Sequence, residues 1–114
     1  MRPISIGRNL TANVKTTIYT VPARHYAAWK LLFISNQAGV NKTVSVWWYD
    51  KTQNIEINII DEYSLSSSEY LRLDGQAYVV FEEGDEIRII TEAGSVMSCV
   101  CTFEVSSSTT SPLI

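Results

Sequence analysis

Residues 69–105 read EYLRLDGQAYVVFEEGDEIRIITEAGSVMSCVCTFEV, and this stretch decides the fold class. It contains four runs of alternating or β-branched residues, and the turns between them carry Gly75, Gly84 and Gly94. Glycine adopts a positive φ without steric cost, so it is favoured in tight turns. Alternation with a period of two is typical of a strand that buries one face. The stretch therefore predicts four successive β-strands.

Four further runs of the same kind precede this stretch, and no segment has the period of a helix. The eight predicted strands cover residues 14–21, 26–35, 43–50, 54–61, 69–73, 77–82, 86–91 and 96–105. Short strands that follow one another every eight to twelve residues or so, with turn signals between them, indicate a sandwich or a small barrel. The predicted fold class is all-β, an antiparallel β-sandwich of about eight strands with a jelly-roll or immunoglobulin-like topology.

The chain has 114 residues, which is the size of one domain. The β-sandwich domain is predicted to span residues 14–105, with a polar loop at residues 63–68. Residues 1–13 are predicted to form an N-terminal arm, since Pro3 and Gly7 interrupt any sustained period. Residues 106–114, SSSTTSPLI, form a Ser/Thr-rich C-terminal tail that buries too little apolar area to offset its ordering entropy.

Alternation also assigns the faces of three predicted strands. Trp29, Leu31 and Phe33 are expected on one side of their strand, opposite Ala28, Lys30, Leu32 and Ile34. The last strand is expected to bury one face, made of Met97, Cys99, Cys101, Phe103 and Val105. Ile55, Ile57 and Ile59 alternate with Glu56 and Asn58. Each pattern predicts one face toward the core and one toward solvent or a neighbouring protein.

The composition suits a packed core, because 46% of the residues are hydrophobic and 18% are charged. This balance excludes a disordered or collagen-like chain. No apolar run approaches the roughly 18 residues of a membrane-spanning helix, and the first residues contain neither a long apolar core nor a cleavage signal. We therefore expect synthesis and folding in a cytoplasm, with no membrane partner.

The charges are divided unevenly along the chain. Residues 1–51 contain seven Lys and Arg residues against one carboxylate, whereas residues 52–114 contain two Arg residues against eleven carboxylates. Folding can interleave the two halves so that the charges pair across strands. Alternatively, the subunit is dipolar, and its basic edge meets the acidic edge of an identical neighbour. The sequence leaves both interpretations open.

Few residues could carry out catalysis or bind a metal. His25 is the only histidine, and no nucleophile-elbow sequence accompanies it. We therefore expect no enzyme activity, and His25 is interpreted as a loop or interface residue. In an extended strand the backbones of Cys99 and Cys101 lie about 6.5–7 Å apart, at or beyond the limit for a relaxed disulfide. Because zinc requires more Cys or His ligands, both are expected to be reduced core residues.

Acidic residues cluster twice, at Asp61-Glu62 and at residues 82–86, EEGDE. Either cluster could supply paired carboxylates of the kind that glycosidases use. The second lies at a tight turn without the spaced ligands of a calcium loop, so we expect a solvated hairpin, with a cation site as the alternative. We expect no cofactor and no metal. With a pI near 5.0, scattered basic residues and no phosphate-binding glycine loop, no nucleic-acid partner is expected.

Adjacent tryptophans are the strongest candidate for a binding surface. Trp47 and Trp48 point to opposite sides of one strand, with Tyr49 on the side of Trp47. One indole should enter the core, and the other should lie at a contact between subunits. A surface half-covered by a loop and a platform for carbohydrate are the alternatives. Further interface candidates lie in the two terminal segments: Arg2, Arg8, Pro112, Leu113 and Ile114.

Several phrases of the sequence resemble small virion structural proteins of tailed bacteriophages, notably those of marine bacteria and cyanobacteria. They are TTIYTVP (16–22), WKLLFISN (29–36), KTVSVWWYD (42–50), EYLRL (69–73), FEEGDEIR (81–88) and TEAGSVMS (91–98). The resemblance spans roughly residues 11–105 and consists of strand-and-turn phrases. It implies a β-sandwich, and it transfers no functional residue.

Proteins of this kind include trimers that decorate or cement a capsid and others that join head or tail. The resemblance thus implies a bacteriophage virion structural protein, assembled in the host cytoplasm. We expect a homo-oligomer, a trimer bound to the major capsid protein as a decoration or cement protein. A tail or head–tail connector component, bound to tail proteins, is one alternative. A carbohydrate-binding module for host adsorption, using Trp47 or Trp48, is the other.

Overall fold

A computed structural model describes residues 2–74 and 79–107, which form nine β-strands. The strands are β1 (Arg2–Leu10), β2 (Thr16–Thr20), β3 (His25–Asn36), β4 (Lys42–Asp50), β5 (Ile55–Leu65), β6 (Tyr70–Asp74), β7 (Val80–Phe81), β8 (Glu86–Thr91) and β9 (Met97–Ser107). Within these residues, no helix is long and apolar enough to cross a bilayer. The predicted all-β fold class is confirmed.

The strands form two antiparallel sheets that pack face to face. Sheet A has the order β1-β9-β3-β6, with β7 also paired to β3, and sheet B has the order β2-β8-β4-β5. The pairs are nested: β1 pairs with β9, β2 with β8, β3 with β6 and β7, and β4 with β5. The nested pairs form one long hairpin. When this hairpin rolls up, β9 also pairs with β3, and β8 also pairs with β4. Of the two predicted topologies, this one is the jelly roll.

The innermost hairpin of the nest is fixed by its turn sequence. The Asp50 carboxylate accepts hydrogen bonds from the backbone N–H groups of Thr52 (3.1 Å) and Gln53 (3.4 Å). Asn54 adopts a φ of 54°, which Asn tolerates better than most residues, and its N–H bonds to the Lys51 carbonyl at 3.1 Å. These local bonds reverse the chain between β4 and β5, so that the two halves of the sequence run back along each other.

The core lies between the sheets and is built from alternate residues of nearly every strand. Its centre is an aromatic cluster in which the Phe81 ring lies 5.4 Å from Phe103, 6.0 Å from Trp29 and 6.1 Å from Trp48. Edge-to-face and tilted geometries of this kind are favoured by the ring quadrupole. A fully buried side chain of this size contributes about 1.5–3 kcal/mol through burial. The predicted inward face of the last strand is confirmed from Met97 to Phe103.

The N-terminal arm predicted for residues 1–13 is wrong for most of its length. Residues 2–10 form β1, which pairs with β9 from Arg2↔Val105 to Leu10↔Met97. The polar loop predicted at residues 63–68 is also shorter than expected, because β5 continues to Leu65. At the other end, β9 continues to Ser107. β1 becomes ordered by pairing with residues more than 80 positions away in the sequence. No local sequence pattern reveals this pairing.

The faces predicted for β3 need a second correction. A β-bulge at Lys30 shifts the register between Trp29↔Phe103 and Leu31↔Thr102. An extra residue reverses the alternation beyond it. Trp29 is therefore buried together with Leu32 and Ile34, while Leu31 and Phe33 lie on the outer face of sheet A.

Candidate assembly surfaces

The adjacent tryptophans lie on opposite sides of β4, as predicted. Trp48 packs against the core between the sheets. Trp47 lies on the outer face of sheet B, where the register places it beside Arg88 of β8 and Asn58 of β5. Both indoles are only partly buried. The chain therefore uses one tryptophan for the core and leaves the other on a surface.

Trp48 is held in place by the buried carboxylate of Asp85, which we expected to lie in solvent. Asp85, in the acidic turn, is 1% exposed. Its oxygens accept hydrogen bonds from Trp48 Nε1 (3.2 Å), the Lys51 N–H (3.0 Å) and the Glu82 N–H (3.0 Å). Three donors offset the cost of burying this charge. The prediction of a fully solvated hairpin is wrong at Asp85, while Glu82 and Glu83 are exposed as predicted.

On the outer face of sheet B, cations cover the aromatic pair. Lys15 Nζ lies 3.8 Å from the centroid of the Trp47 ring, and the Arg88 guanidinium lies 4.1 Å from that of Tyr49. Cation–π contacts of this kind contribute about 0.5–1 kcal/mol at exposed sites. Side chains from β8 and the β1–β2 connection cover these rings, which agrees with the alternative of a half-covered surface. One face of Trp47 is accordingly closed to a stacking sugar. The predicted subunit contact at Trp47 stays a prediction.

The cations on this face are themselves held by Glu56 of β5. Its two oxygens lie 2.8 Å from Lys15 Nζ and 2.9 Å from Arg88 Nη1. Arg88 also contacts Glu86 at 2.8 Å. Hydrogen bonds from Lys15 and then Arg88 hold the pKa of Glu56 below its ordinary value. The outer face of sheet B is therefore a self-contained network of charges and rings.

Ion pairs elsewhere in the sandwich join the two halves of the sequence in the same way. Besides Lys15–Glu56, Lys30 pairs with Glu104 at 3.5 Å and Lys42 with Glu92 at 3.9 Å. Each pair joins a lysine of the first half to a glutamate of the second. The nested strand order causes this, because it lays the first half of the chain beside the second. Three of the seven basic residues in the first half are thus paired with carboxylates of the second half within one subunit.

The outer face of sheet A has a different character. The register alternation assigns these residues to it: Pro3, Ser5, Gly7, Asn9, Tyr26, Ala28, Lys30, Leu31, Phe33, Ser35, Tyr70, Arg72, Asp74, Val80, Ser98, Val100, Thr102 and Glu104. Its four charged side chains form two local pairs, Lys30–Glu104 and Arg72–Asp74. The remaining residues are neutral. A flat sheet surface with so little net charge is unusual for a face that meets only water.

Apolar groups occupy the middle of this face. Val100 is 37% exposed and lies between Gly7 of β1 and Phe33 of β3. A Cβ at Gly7 would meet only the Cys99 carbonyl oxygen, at 3.9 Å, so the space beside Val100 is open. Tyr70 is 61% exposed and stacks on Phe33 with ring centroids 4.9 Å apart. Sequence alternation missed this patch because the bulge at Lys30 brings Phe33 to the outer face.

Two of the remaining predicted interface residues, Arg2 and Arg8, are separated in space from Trp47. They are exposed residues of β1, an edge strand of sheet A, and the structure does not bring them near Trp47, Trp48 or Tyr49. Pro112, Leu113 and Ile114 lie outside the described residues. The five predicted interface residues that the structure describes therefore do not form one site.

The candidate catalytic and metal-binding residues are also dispersed. His25 bonds through Nδ1 to the Ala23 carbonyl at 2.9 Å. Cys99 and Cys101 are free and buried in the core, as predicted, and a hydrogen bond with Cys99, together with burial, raises the pKa of the Cys101 thiol. In the described part of the chain, no three His, Cys, Asp or Glu side chains are placed to hold a metal ion.

Two concavities accompany these surfaces. A small apolar crevice of about 90 Å³ lies between Trp29, Ile59 and Val79. An open groove of about 470 Å³ lies over the outer face of sheet B, beside Trp47, Asp61 and Glu62.

Comparisons with known proteins bear on the fold. No protein-family model and no curated protein sequence matches the chain. A chain of the T13 IBDV viral particle is similar in structure, with a TM-score of 0.60, 10% identity, and coverage of 91% of this chain and 30% of that one. This chain thus spans less than a third of the viral-particle chain.

Two further solved structures have related folds. A Bacillus endospore appendage protein, of a family of disulfide-linked pili, gives a TM-score of 0.52 at 13% identity, covering 92% of this chain and 84% of that one. The globular domain of zebrafish complement 1qA gives 0.46 at 15% identity, with coverage of 91% and 96%. At such low identity the two likenesses with a TM-score above 0.5 show the fold alone, and the resemblance to tailed-phage proteins has no family match to support it.

Proposed function

We propose that this protein is a structural subunit of a virion, which assembles with its own copies and with shell proteins and catalyses no reaction. The outer face of sheet A carries the proposal. Its charges are paired within the face, and Val100, Tyr70 and Phe33 form an apolar patch that residues 2–74 and 79–107 leave uncovered. Apolar patches rimmed by polar residues typically mark protein–protein contacts.

The fold supports the same proposal. Jelly rolls are frequent in viral shells, and the chains of similar structure come from a viral particle and from a pilus. The pilus family is described as disulfide-linked, whereas Cys99 and Cys101 here are 2% and 0% exposed. Assembly of this protein accordingly relies on non-covalent contacts.

The specific form of the proposal is a trimeric decoration or cement protein on the capsid of a tailed bacteriophage. Three copies would associate through the outer face of sheet A, and the terminal segments would contact the major capsid protein. Many weak contacts suffice on a shell, because tethered contacts act at a high effective concentration. The location of the protein would then be the virion, after assembly in the host cytoplasm.

The oligomeric state tests the assembly surface. Val100→Lys places an unpaired charge at the centre of the apolar patch, and we expect the association constant to fall by at least about tenfold. Thr20→Lys, on the exposed outer face of sheet B, is the matched control and should associate like the parent chain. Sedimentation velocity over a concentration series measures both. Equal association of Val100→Lys and the parent chain would contradict the proposed surface.

Copy number tests the place in the virion. A decoration protein is present in hundreds of copies per particle, whereas a tail or connector component is present in about a dozen or fewer. Quantitative mass spectrometry of intact particles, normalised to the major capsid protein, distinguishes the two. A dozen copies would replace the decoration role by the connector role, and absence from purified particles would contradict a virion role altogether.

A further inference from the structure

The charges that remain after the internal ion pairs are formed lie on two separate edges of the sandwich. Arg2 and Arg8 are exposed on β1, and neither has a carboxylate partner among residues 2–74 and 79–107. Both belong to the same side of the strand, six residues apart. β1 is one of the two edge strands of sheet A, so this edge is basic.

The corresponding acidic edge is β5, one of the two edge strands of sheet B. Asp61 and Glu62 are exposed there and have no basic partner within the described part of the chain. They form a bulge opposite Ser45, whose hydroxyl accepts a hydrogen bond from the Glu62 N–H at 2.8 Å. This bond anchors the bulge to β4, so the position of the two carboxylates is fixed by the sheet.

The two edges lie on opposite flanks of the molecule. β1 and β2 form one flank, and β5 and β6 form the other. Each edge strand leaves a row of backbone N–H and C=O groups without a partner in its own sheet. The edges also match in length, with nine residues in β1 and eleven in β5. On β5, Ile55 and Ile57 add apolar surface that is 41% and 40% exposed.

We propose that the β1 edge of one copy docks on the β5 edge of the next, so that the edge with Arg2 and Arg8 meets the edge with Asp61 and Glu62. The two arginines lie about 20 Å apart along β1, so one of them reaches the acidic bulge and both make the edge basic. The occupant is a second copy of this chain because both complementary edges belong to the same subunit. A contact between opposite flanks is head-to-tail, so it closes into a ring or continues as a filament. The inference rests on the proposed assembling function and adds to it a second contact, beside the one on the outer face of sheet A.

Charge reversal followed by mixing tests this contact. One variant combines Arg2→Glu with Arg8→Glu, which makes both edges acidic, and the other combines Asp61→Lys with Glu62→Lys, which makes both edges basic. We expect each variant alone to associate at least about tenfold more weakly than the parent chain, because like charges then face each other. An equimolar mixture restores opposite charges wherever the two variants alternate, which is at every contact of a filament or an even-numbered ring and at two of the three contacts of a ring of three. The mixture should therefore associate at least about tenfold more tightly than either variant alone.

Matched controls change the net charge by the same amounts at other exposed positions. They are Arg24→Glu with Lys51→Glu, and Glu82→Lys with Glu83→Lys, and both should associate like the parent chain. Sedimentation velocity at low and high salt gives the association constants, and circular dichroism checks that each variant is folded. Recovery by the mixture supports the contact, since general unfolding or net charge alone would not produce it.

Three outcomes would overturn the inference. These are parent-like association of either reversed variant, a mixture that does not recover association, and stronger association than the parent chain by the variant that combines Arg2→Glu with Arg8→Glu. The last result would mean that the charges on β1 serve to keep edges apart. In all three cases a parent chain that self-associates leaves the proposed function standing. A parent chain that stays monomeric at every concentration contradicts both.

Discussion

The two outer faces of the sandwich use their aromatic rings and charges in opposite ways. On sheet B, Lys15 and Arg88 cover Trp47 and Tyr49, and Glu56 holds both cations. On sheet A, the described part of the chain places no such cover over the neutral patch around Val100. The comparison shows that the number of aromatic residues does not identify a docking surface. What matters is whether the subunit already satisfies the groups on that face.

The comparison depends first on Trp47 and Trp48 keeping to their own sides of β4, and Asp85 is the residue that secures this. Asp85→Ala leaves Trp48 Nε1 and the N–H groups of Lys51 and Glu82 without their acceptor. Unsatisfied buried donors cost about 1–3 kcal/mol each when water cannot reach them. We expect the free energy of unfolding to fall by about 2–4 kcal/mol, measured by urea denaturation.

The control for this variant is Glu83→Ala in the same turn. Glu83 is exposed, so the change in stability should stay within about 0.5 kcal/mol. Tryptophan fluorescence of the folded Asp85→Ala protein should also shift to longer wavelength, since Trp48 loses its anchor. If Asp85→Ala unfolds at the same urea concentration as the parent chain, Asp85 does not secure Trp48.

The sequence predicts the strands well because alternation is a local property. Eight of the nine strands lie where the period-two runs predicted them. The features that the sequence did not predict all depend on residues distant in the chain. β1 pairs with β9, the bulge at Lys30 arises in the register with β9, and Asp85 is held by hydrogen bonds from Trp48 and Lys51. Asn36 is a similar case, because its side-chain amide donates a hydrogen bond to the carbonyl of Leu65, 29 residues away, at 2.9 Å. An error in strand register also changes which residues are assigned to a surface, since the one-residue bulge at Lys30 decides which face of sheet A Phe33 occupies.

On the sheet B side of the comparison, Glu56→Gln removes the carboxylate that holds both cations. We expect a loss of about 0.5–1 kcal/mol in the free energy of unfolding at neutral pH, because these pairs are partly solvated. The pKa of Glu56 is lowered from 4.5 in the folded protein. Its stabilising contribution is therefore present above that value and disappears as the pH falls through the lower folded pKa.

The measurement is urea denaturation of both proteins across the acidic range and at two salt concentrations. The difference between parent and Gln variant should shrink as the pH falls and as salt increases. Self-association at neutral pH should be equal for the two proteins, since the proposed contacts use the outer face of sheet A and the β5 edge at Asp61 and Glu62, and neither uses this network. A Gln variant that assembles more weakly would place the outer face of sheet B at an interface and break the comparison.

The smallest expected effect on stability concerns the open space beside Val100. Gly7→Val adds a side chain where a Cβ meets only one atom within 4 Å, and the φ of Gly7 is not positive. A β-branched residue suits an edge strand better than glycine, so we expect the folded state to gain about 0.5 kcal/mol. Because the new side chain fills the flat patch, association should nevertheless weaken.

Thr20→Val is the control on sheet B, with a similar change in stability and no change in association. If Gly7→Val raises the free energy of unfolding but weakens association, and Thr20→Val does not weaken association, this face of sheet A acts in assembly independently of folding. Unchanged association of Gly7→Val would show that the partner does not reach Gly7.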